Sequence, residues 1–180
     1  ICKRGKVTMI SKIIKDFFLK RKVNKKLLNY QLQVSSDKIV KVGVLIDGNY
    51  FTNQEKLISE ILKYGIEKNN IEILSFVNKN KKTLLEKFDY FFRKDISLGG
   101  LFKSERVTNF TEQHFDLLIS YYDVQKPALL LVSKSSKAKF KVGFQTIDKR
   151  INHLSINSVA ENYTEFISEL FKYLKILKKI

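Results

Sequence analysis

The sequence predicts a three-layer α/β domain of Rossmann-like type: about five mostly parallel strands, helices on both faces, and a basic amphipathic helix in front. Three observations carry this prediction. Lys38–Asp47 (KIVKVGVLID) and Asp116–Tyr121 (DLLISY) are near-continuous apolar runs of strand length, the pattern of strands buried on both faces. Segments of helical period separate such runs, with Leu57, Ile58, Ile61 and Leu62 as the first. The stretch Phe115–Phe144 repeats strand, loop, helix and strand, one crossover of a parallel sheet.

Composition agrees. A chain of 180 residues with 44% hydrophobic residues, 14 Phe and 8 Tyr fits one domain with a real core rather than a disordered chain. One Pro and seven Gly leave no Pro/Gly-rich linker to divide it. A single cysteine, Cys2, excludes an internal disulfide framework and a cysteine-based zinc site, and suits a reducing compartment. No apolar run approaches the roughly 20 residues of a helical membrane span. Ile10–Leu19 is interrupted by Lys12, Lys15 and Asp16 and lacks a small-residue cleavage site, so no signal peptide is expected either. The expected location is cytoplasmic, or peripheral at a bacterial inner membrane.

The elements follow in order. Met9 opens MISKIIKDFF like a natural start, so residues 1–8 are expected to be upstream or non-native. Residues 9–34 are expected to form a front segment and 35–180 the α/β domain. Ile10–Tyr30 reads as a basic amphipathic helix, with Ile10, Ile13, Ile14, Phe17, Phe18 and Leu28 at helical spacing. Helical stripes usually pack in cores, so this one is expected to lie on the domain with its lysines solvated. The alternative is a surface helix for a membrane or nucleic acid, carried by Lys20, Arg21, Lys22, Lys25 and Lys26. After the polar break Ser35-Ser36-Asp37, strand Lys38–Asp47 ends in the turn Asp47-Gly48-Asn49. Thr52 or Asn53 caps the next helix and Gly65 stops it, before strand Ile71–Val77 and a charged loop over Asn78–Lys82. Leu84, Leu85 and Phe88 suggest a short helix, Tyr90–Phe92 a strand or buried loop, Gly99-Gly100 a turn, and Val107–Phe110 an edge strand. Pro127 opens a helix carrying Ala128–Val132, and its end, Ser133–Lys137, is expected to be solvated. Phe140–Phe144 is a strand whose Gly143 permits close approach, and Thr146–Asn152 is a charged loop. His153–Ile156 is a short strand. Glu161–Ile180 is a closing helix with Phe166, Ile167, Leu170, Phe171, Leu174 and Leu177 inward and Lys172, Lys175, Lys178 and Lys179 gathered at its C-terminal end.

Ligands of open parallel sheets sit beyond the carboxyl ends of the strands. That rule nominates Asp47, Gly48 and Asn49 after the first strand, Asn78 after the second, and Tyr121, Tyr122 and Asp123 after the third. Asp47 suits a base, a metal ligand or a ribose partner, but Asp-Gly-Asn is also an ordinary turn. There is no phosphate-binding glycine loop. His114 and His153 have no cysteine companions, and Ser120 and Ser155 lie within strands rather than at a nucleophile elbow. No metal and no cofactor is expected, and no nucleic-acid-reading motif is present.

Charge is the outstanding number. There are 34 Lys and Arg against 18 Asp and Glu, a net of +16. Such a field favours polyanions, although an AT-rich genome raises lysine everywhere. Three functions follow as expectations. The first is non-enzymatic docking on an anionic partner, RNA or ribosome or an acidic membrane. The second is a ligand-binding module or enzyme at the strand ends, taking a nucleotide- or sugar-phosphate-type ligand. The third is an assembly subunit, a protein partner or homo-oligomer joined through Tyr90–Phe92 or Tyr121–Tyr122.

The segments FDLLISYYD (115–123), SKAKFKVGF (136–144) and ELFKYLKIL (169–177) resemble a family of small uncharacterised Bacteroidota proteins sharing these three stretches. The resemblance runs from about Met9 to the end and implies a cytosolic α/β protein without an assigned activity or site. More locally, D-L-x-I followed by a helix and S-x-A-x-x-x-x-G-F, within Asp116–Phe144, resembles the N-terminal Rossmann half of glycosyltransferase family 9 heptosyltransferases. Those enzymes hold their nucleotide-sugar in a second Rossmann domain, so this likeness implies fold alone.

Overall fold

Val42–Asp47 (β1) is buried at all six positions because it runs between two parallel neighbours, β2 (Ile71–Phe76) and β4 (Leu117–Tyr121). Val44 pairs with Ile73 on one side and Ile119 on the other, so β-branched residues line the sheet centre. With β3 (Asp89–Phe91), β5 (Phe140–Phe144) and β6 (Leu154–Ile156) the sheet has, among the described residues, six strands, all parallel, in the order β3-β2-β1-β4-β5-β6. That is one strand more than expected. The order reverses between β1 and β4, the switch point where doubly wound folds open a crevice. The computed structural model describes residues 3–28, 30, 32, 37–78 and 88–180, with side chains from residue 13 onward.

Five helices surround the sheet among the described residues: α1 (Lys3–Leu27), α2 (Gln54–Leu62), α3 (Glu105–Glu112), α4 (Pro127–Ser135) and α5 (Tyr163–Ile176). Strand alternation separates them into two layers. Tyr121 meets Phe166 of α5, whereas its neighbours Ser120 and Tyr122 hydrogen-bond Ser133 of α4. α2 packs with α5 on the first face; α3 and α1 both pack with α4 on the second. α4 is therefore covered from outside, which is why Ala128–Ser133 are buried all round rather than along one stripe.

Several expectations hold in detail. Gly65, at φ +86°, ends the turn after α2, and a Cβ on Gly143 would lie 2.5 Å from Asn152 Nδ2. Others need correction. Val107–Phe110 belongs to helix α3, not an edge strand; Val107, Phe110 and Thr111 are its buried positions at i, i+3 and i+4. The α1 stripe faces the wrong way for a core. Leu19, Val23 and Leu27 are fully buried, whereas Ile13, Ile14, Phe17, Phe18 and Leu28 are exposed. Leu177 lies beyond α5 and is exposed, while Lys179 is buried with its ammonium 4.8 Å from the Phe140 ring centroid. The expected helix at Leu84 and Leu85, the loop over 79–82 and the break at Ser35-Ser36 fall outside the described residues. No helix among the described residues is long and apolar enough to cross a membrane.

Candidate functional site

The strand ends come first. At the tip of β1 the Asp47 carboxylate accepts from the Asn49 backbone N–H (3.2 Å) and from Asn49 Nδ2 (2.8 Å), the hydrogen-bond pattern of an Asx turn. Asn49 Nδ2 also donates to the Phe76 carbonyl, and Asn49 Oδ1 accepts from the Asn78 backbone N–H, so this residue ties the ends of β1 and β2 together. Gly48 donates to the same Phe76 carbonyl at 3.0 Å. The other Asp47 oxygen pairs with Lys126, at the entry to α4, and neither atom has another hydrogen-bond partner among the described residues. The Lys126 ammonium also lies 4.4 Å from the Tyr50 ring centroid.

Beside this pair the aromatic core reaches the end of β4. Tyr121 meets Phe51 at 4.8 Å, Phe144 at 5.2 Å and Phe166 at 5.2 Å, each edge to face. Its hydroxyl donates to the Ala160 carbonyl at 2.7 Å. Asp123 accepts from the Ala160 backbone N–H, and its own carbonyl accepts from Thr146. The structure thus gathers Asp47, Gly48 and Asn49 with Lys126, but separates them from Tyr122, which points to the opposite face. There the Tyr122 hydroxyl lies 2.8 Å from Ser133 Oγ, itself 2.9 Å from Ser120 Oγ. Burial pushes the phenols of Tyr121 and Tyr122 well up. Both rings are core, whereas Tyr90 and Phe92 form an edge pair at 5.4 Å with Arg106 and Lys94 over their faces.

The end of α4 is capped by a residue that sequence reasoning passed over. Lys141 of β5 is buried and donates to the carbonyls of Ser133 (2.9 Å), Lys134 (3.3 Å) and Ser136 (2.6 Å), and to the Tyr30 hydroxyl (2.8 Å). Helix-end carbonyls lacking intrahelical partners are thereby satisfied by a cation at the negative end of the dipole. The helix end expected to be solvated is closed, with Ser133 and Ser136 buried. Burial, with the Lys134 charge nearby, pulls the Lys141 ammonium down to about 7. The only signal for this in the sequence is a lysine in an otherwise apolar strand, FKVGF. His153 is equally structural: its Nδ1 accepts from the Lys141 backbone N–H, and its ring stacks on Phe140. Among the described residues no group of three His, Cys, Asp or Glu is placed to hold a metal.

The outer face of α1 is the other candidate. Leu19, Val23 and Leu27, spaced i, i+4 and i+8, dock the helix on the domain. At about 100° per residue, Ile13, Ile14, Phe17 and Phe18 centre roughly 150° around the helix from that row. They are 59%, 49%, 61% and 51% exposed. Leu98 and Leu101, on the neighbouring loop, are also exposed, and Leu98 lines a groove with Phe18. Of the nominated cations, Arg21, Lys22 and Lys25 line one groove with Phe18 and Leu98. Lys20 is exposed, and Lys26 sits near enough to Lys134 to add to the burial that lowers that ammonium. Asp16 is engaged by Arg93 at 2.6 Å, leaving the described outer surface of α1 wholly cationic.

Comparison with known proteins gives little beyond the family. No curated protein matches. Among solved structures, a point mutant of the Thermobaculum terrenum O-GlcNAc transferase is similar at 13% identity and a TM-score of 0.32. The match covers 66% of this chain and 23% of that one, so the chain spans about a quarter of that protein's length. By its match over residues 15–177, the chain belongs to the family described as "Family of unknown function (DUF6913)".

Proposed function

We propose that this protein docks on an anionic membrane surface through the outer face of α1. One observation carries the reading: a helix already anchored by Leu19, Val23 and Leu27 presents a second apolar row of Ile13, Ile14, Phe17 and Phe18 to solvent, amid lysines and arginine. Single exposed apolar residues are ordinary, but a contiguous row rimmed by one sign of charge is the pattern of an interfacial helix. The two contributions are comparable. Each half-exposed large side chain adds about 1 kcal/mol on insertion, and each cation about 1 kcal/mol near acidic lipid. A second copy of the chain fits less well, because it would bring two cationic rims together. RNA would match the charge but leave Ile13 and Ile14 uncovered, and Phe17 and Phe18 stand edge-on at 78° rather than as parallel stacking platforms.

Co-sedimentation with vesicles of phosphatidylcholine and phosphatidylglycerol tests the reading. Binding is expected at low salt, weakened but not abolished by high salt, because salt screens only the charge contribution. Replacing Ile14 and Phe17 by Ser is expected to weaken binding roughly thirtyfold, two side chains at ~1 kcal/mol each. No binding at low salt, or binding to RNA alone, would overturn it.

A second reading, a small-molecule ligand at the strand ends, rests on the Asp47–Lys126 pair at the switch point. The mutual packing of Phe51, Tyr121, Phe144 and Phe166 beside the pair weighs against it.

A further inference from the structure

The loop 93–103 closes on α1 and is fixed by its own hydrogen bonds. Ile96 and Phe102 form an antiparallel bridge, Ser97 N–H donates to the Leu101 carbonyl at 2.9 Å, and Lys103 N–H donates to the Asp95 carbonyl at 2.7 Å. The Asp95 carboxylate accepts the Phe92 N–H at 2.8 Å. Arg93 fastens the loop to the helix. Its Nε donates to Asp16, its Nη2 to the Lys15 carbonyl at 3.0 Å and its Nη1 to the Ile96 carbonyl at 2.8 Å. At the loop tip a Cβ on Gly100 would lie within 4 Å of both Leu19 and Leu131, so the loop sits on α1 and α4 together.

Between loop and helix lies a cavity of about 500 Å³ whose lining includes Lys15, Arg93, Lys94, Ser97, Leu98 and Lys103 and, among the described residues, no acid. Arg93 is committed to Asp16, but Lys15, Lys94 and Lys103 make no ion pair among the described residues. Three lysines lining one cavity, the Lys94 ammonium 4.9 Å from the Phe92 ring centroid, make it a place that favours an anion. Leu98 is shared with the groove formed by Phe18, Arg21, Lys22 and Lys25, so the cationic cavity opens directly beside the exposed apolar row. The complement of this shape has a charged head and a hydrocarbon tail. A phosphate monoester carries close to two negative charges and three acceptor oxygens, which matches three lysines better than a singly charged diester does.

We propose that the cavity between α1 and loop 93–103 binds the phosphate-monoester headgroup of a membrane lipid, with Lys15, Lys94 and Lys103 around the phosphate and the acyl chain leaving across Leu98 and Phe18. The inference rests on the membrane-docking reading and gives that surface a headgroup preference. The test uses the full chain and two probes. With vesicles matched in surface potential, phosphatidic acid is expected to bind about fivefold more tightly than phosphatidylglycerol, the effect of roughly one additional basic contact. The double variant Lys94→Ala/Lys103→Ala is expected to lose that preference, binding the two vesicles equally although both affinities fall with the lost charge. Equal binding of the unaltered chain to both vesicles, or a preference that survives the double variant, would overturn the headgroup site and leave the docking reading standing. The second probe is dihexanoyl phosphatidic acid below its micelle concentration, followed by the amide resonances of Ser97, Leu98 and Lys103. Saturable shifts, with inorganic phosphate much weaker, support the site even if vesicles fail to bind, in which case the docking reading alone falls. Equal affinity for inorganic phosphate would make it a free-anion site and overturn the lipid assignment.

Discussion

The strand-end crevice and the outer face of α1 are both rich in aromatic and charged residues, and the molecule treats them in opposite ways. At the strand ends Phe51, Tyr121, Phe144 and Phe166 pack on one another, and each nominated carboxylate has a partner: Asp47 has Asn49 and Lys126, and Asp123 has the Ala160 amide. On α1 the same kinds of side chain face water, with Phe17 and Phe18 touching each other and their cations turned outward. Residue type therefore does not identify a functional surface. What separates the two regions is whether the chain itself satisfies its apolar and charged groups.

Substitutions of one kind should then give opposite results in the two regions. The largest expected effect is at the crevice. Phe166→Ala removes a fully buried ring packed on Tyr121 and Phe144 and is expected to cost about 3–5 kcal/mol in urea denaturation. A small loss would mean that the crevice is loosely packed and open to a ligand. Asp47→Asn leaves the largely buried Lys126 ammonium without its ion pair and is expected to cost about 1–3 kcal/mol. Unchanged or increased stability would favour the strand-end ligand reading, since groups held for function are often held at the expense of stability.

Lys141 sharpens the comparison through pH. Its folded pKa, about 7, lies below the ordinary lysine value of 10.5. Between those values the unfolded chain binds the proton more readily, so stability is expected to rise as pH goes from about 7 towards 10. The contribution is present above the unfolded value and is lost as pH falls towards 7. Lys141→Met should flatten that rise in denaturation midpoints; an unchanged slope would show that the residue titrates normally. The smallest effect is at α1. Phe17→Ser is expected to change stability by no more than about 0.5 kcal/mol, because the ring is already in water.

Much of the fold was legible in the sequence, because parallel strands buried on both faces announce themselves as unbroken apolar runs. β1 and β4 were evident for that reason, and Gly143 as a site of close approach because a strand glycine has few other uses. Val107–Phe110 misled because four residues containing Val and Phe suit a strand or a helix, and only the packing of Thr111 beside them reveals the period. The α1 stripe misled more instructively. Ile13, Ile14, Phe17 and Phe18 are the stronger apolar row, yet Leu19, Val23 and Leu27 made the contact. A helix with two apolar faces does not say which one is inside. The cationic cavity was not legible at all, because Lys15 and Lys103 are brought together only by the loop that Arg93 fastens to α1.

The chain has no tryptophan, so one introduced at Phe17 would report on α1 alone. In Phe17→Trp, phosphatidylglycerol vesicles are expected to shift the emission to the blue and shield it from aqueous quenchers. A tryptophan at Phe166, inside the crevice packing, should not respond. Emission at position 17 that stays water-like with lipid in excess at low salt would contradict the account.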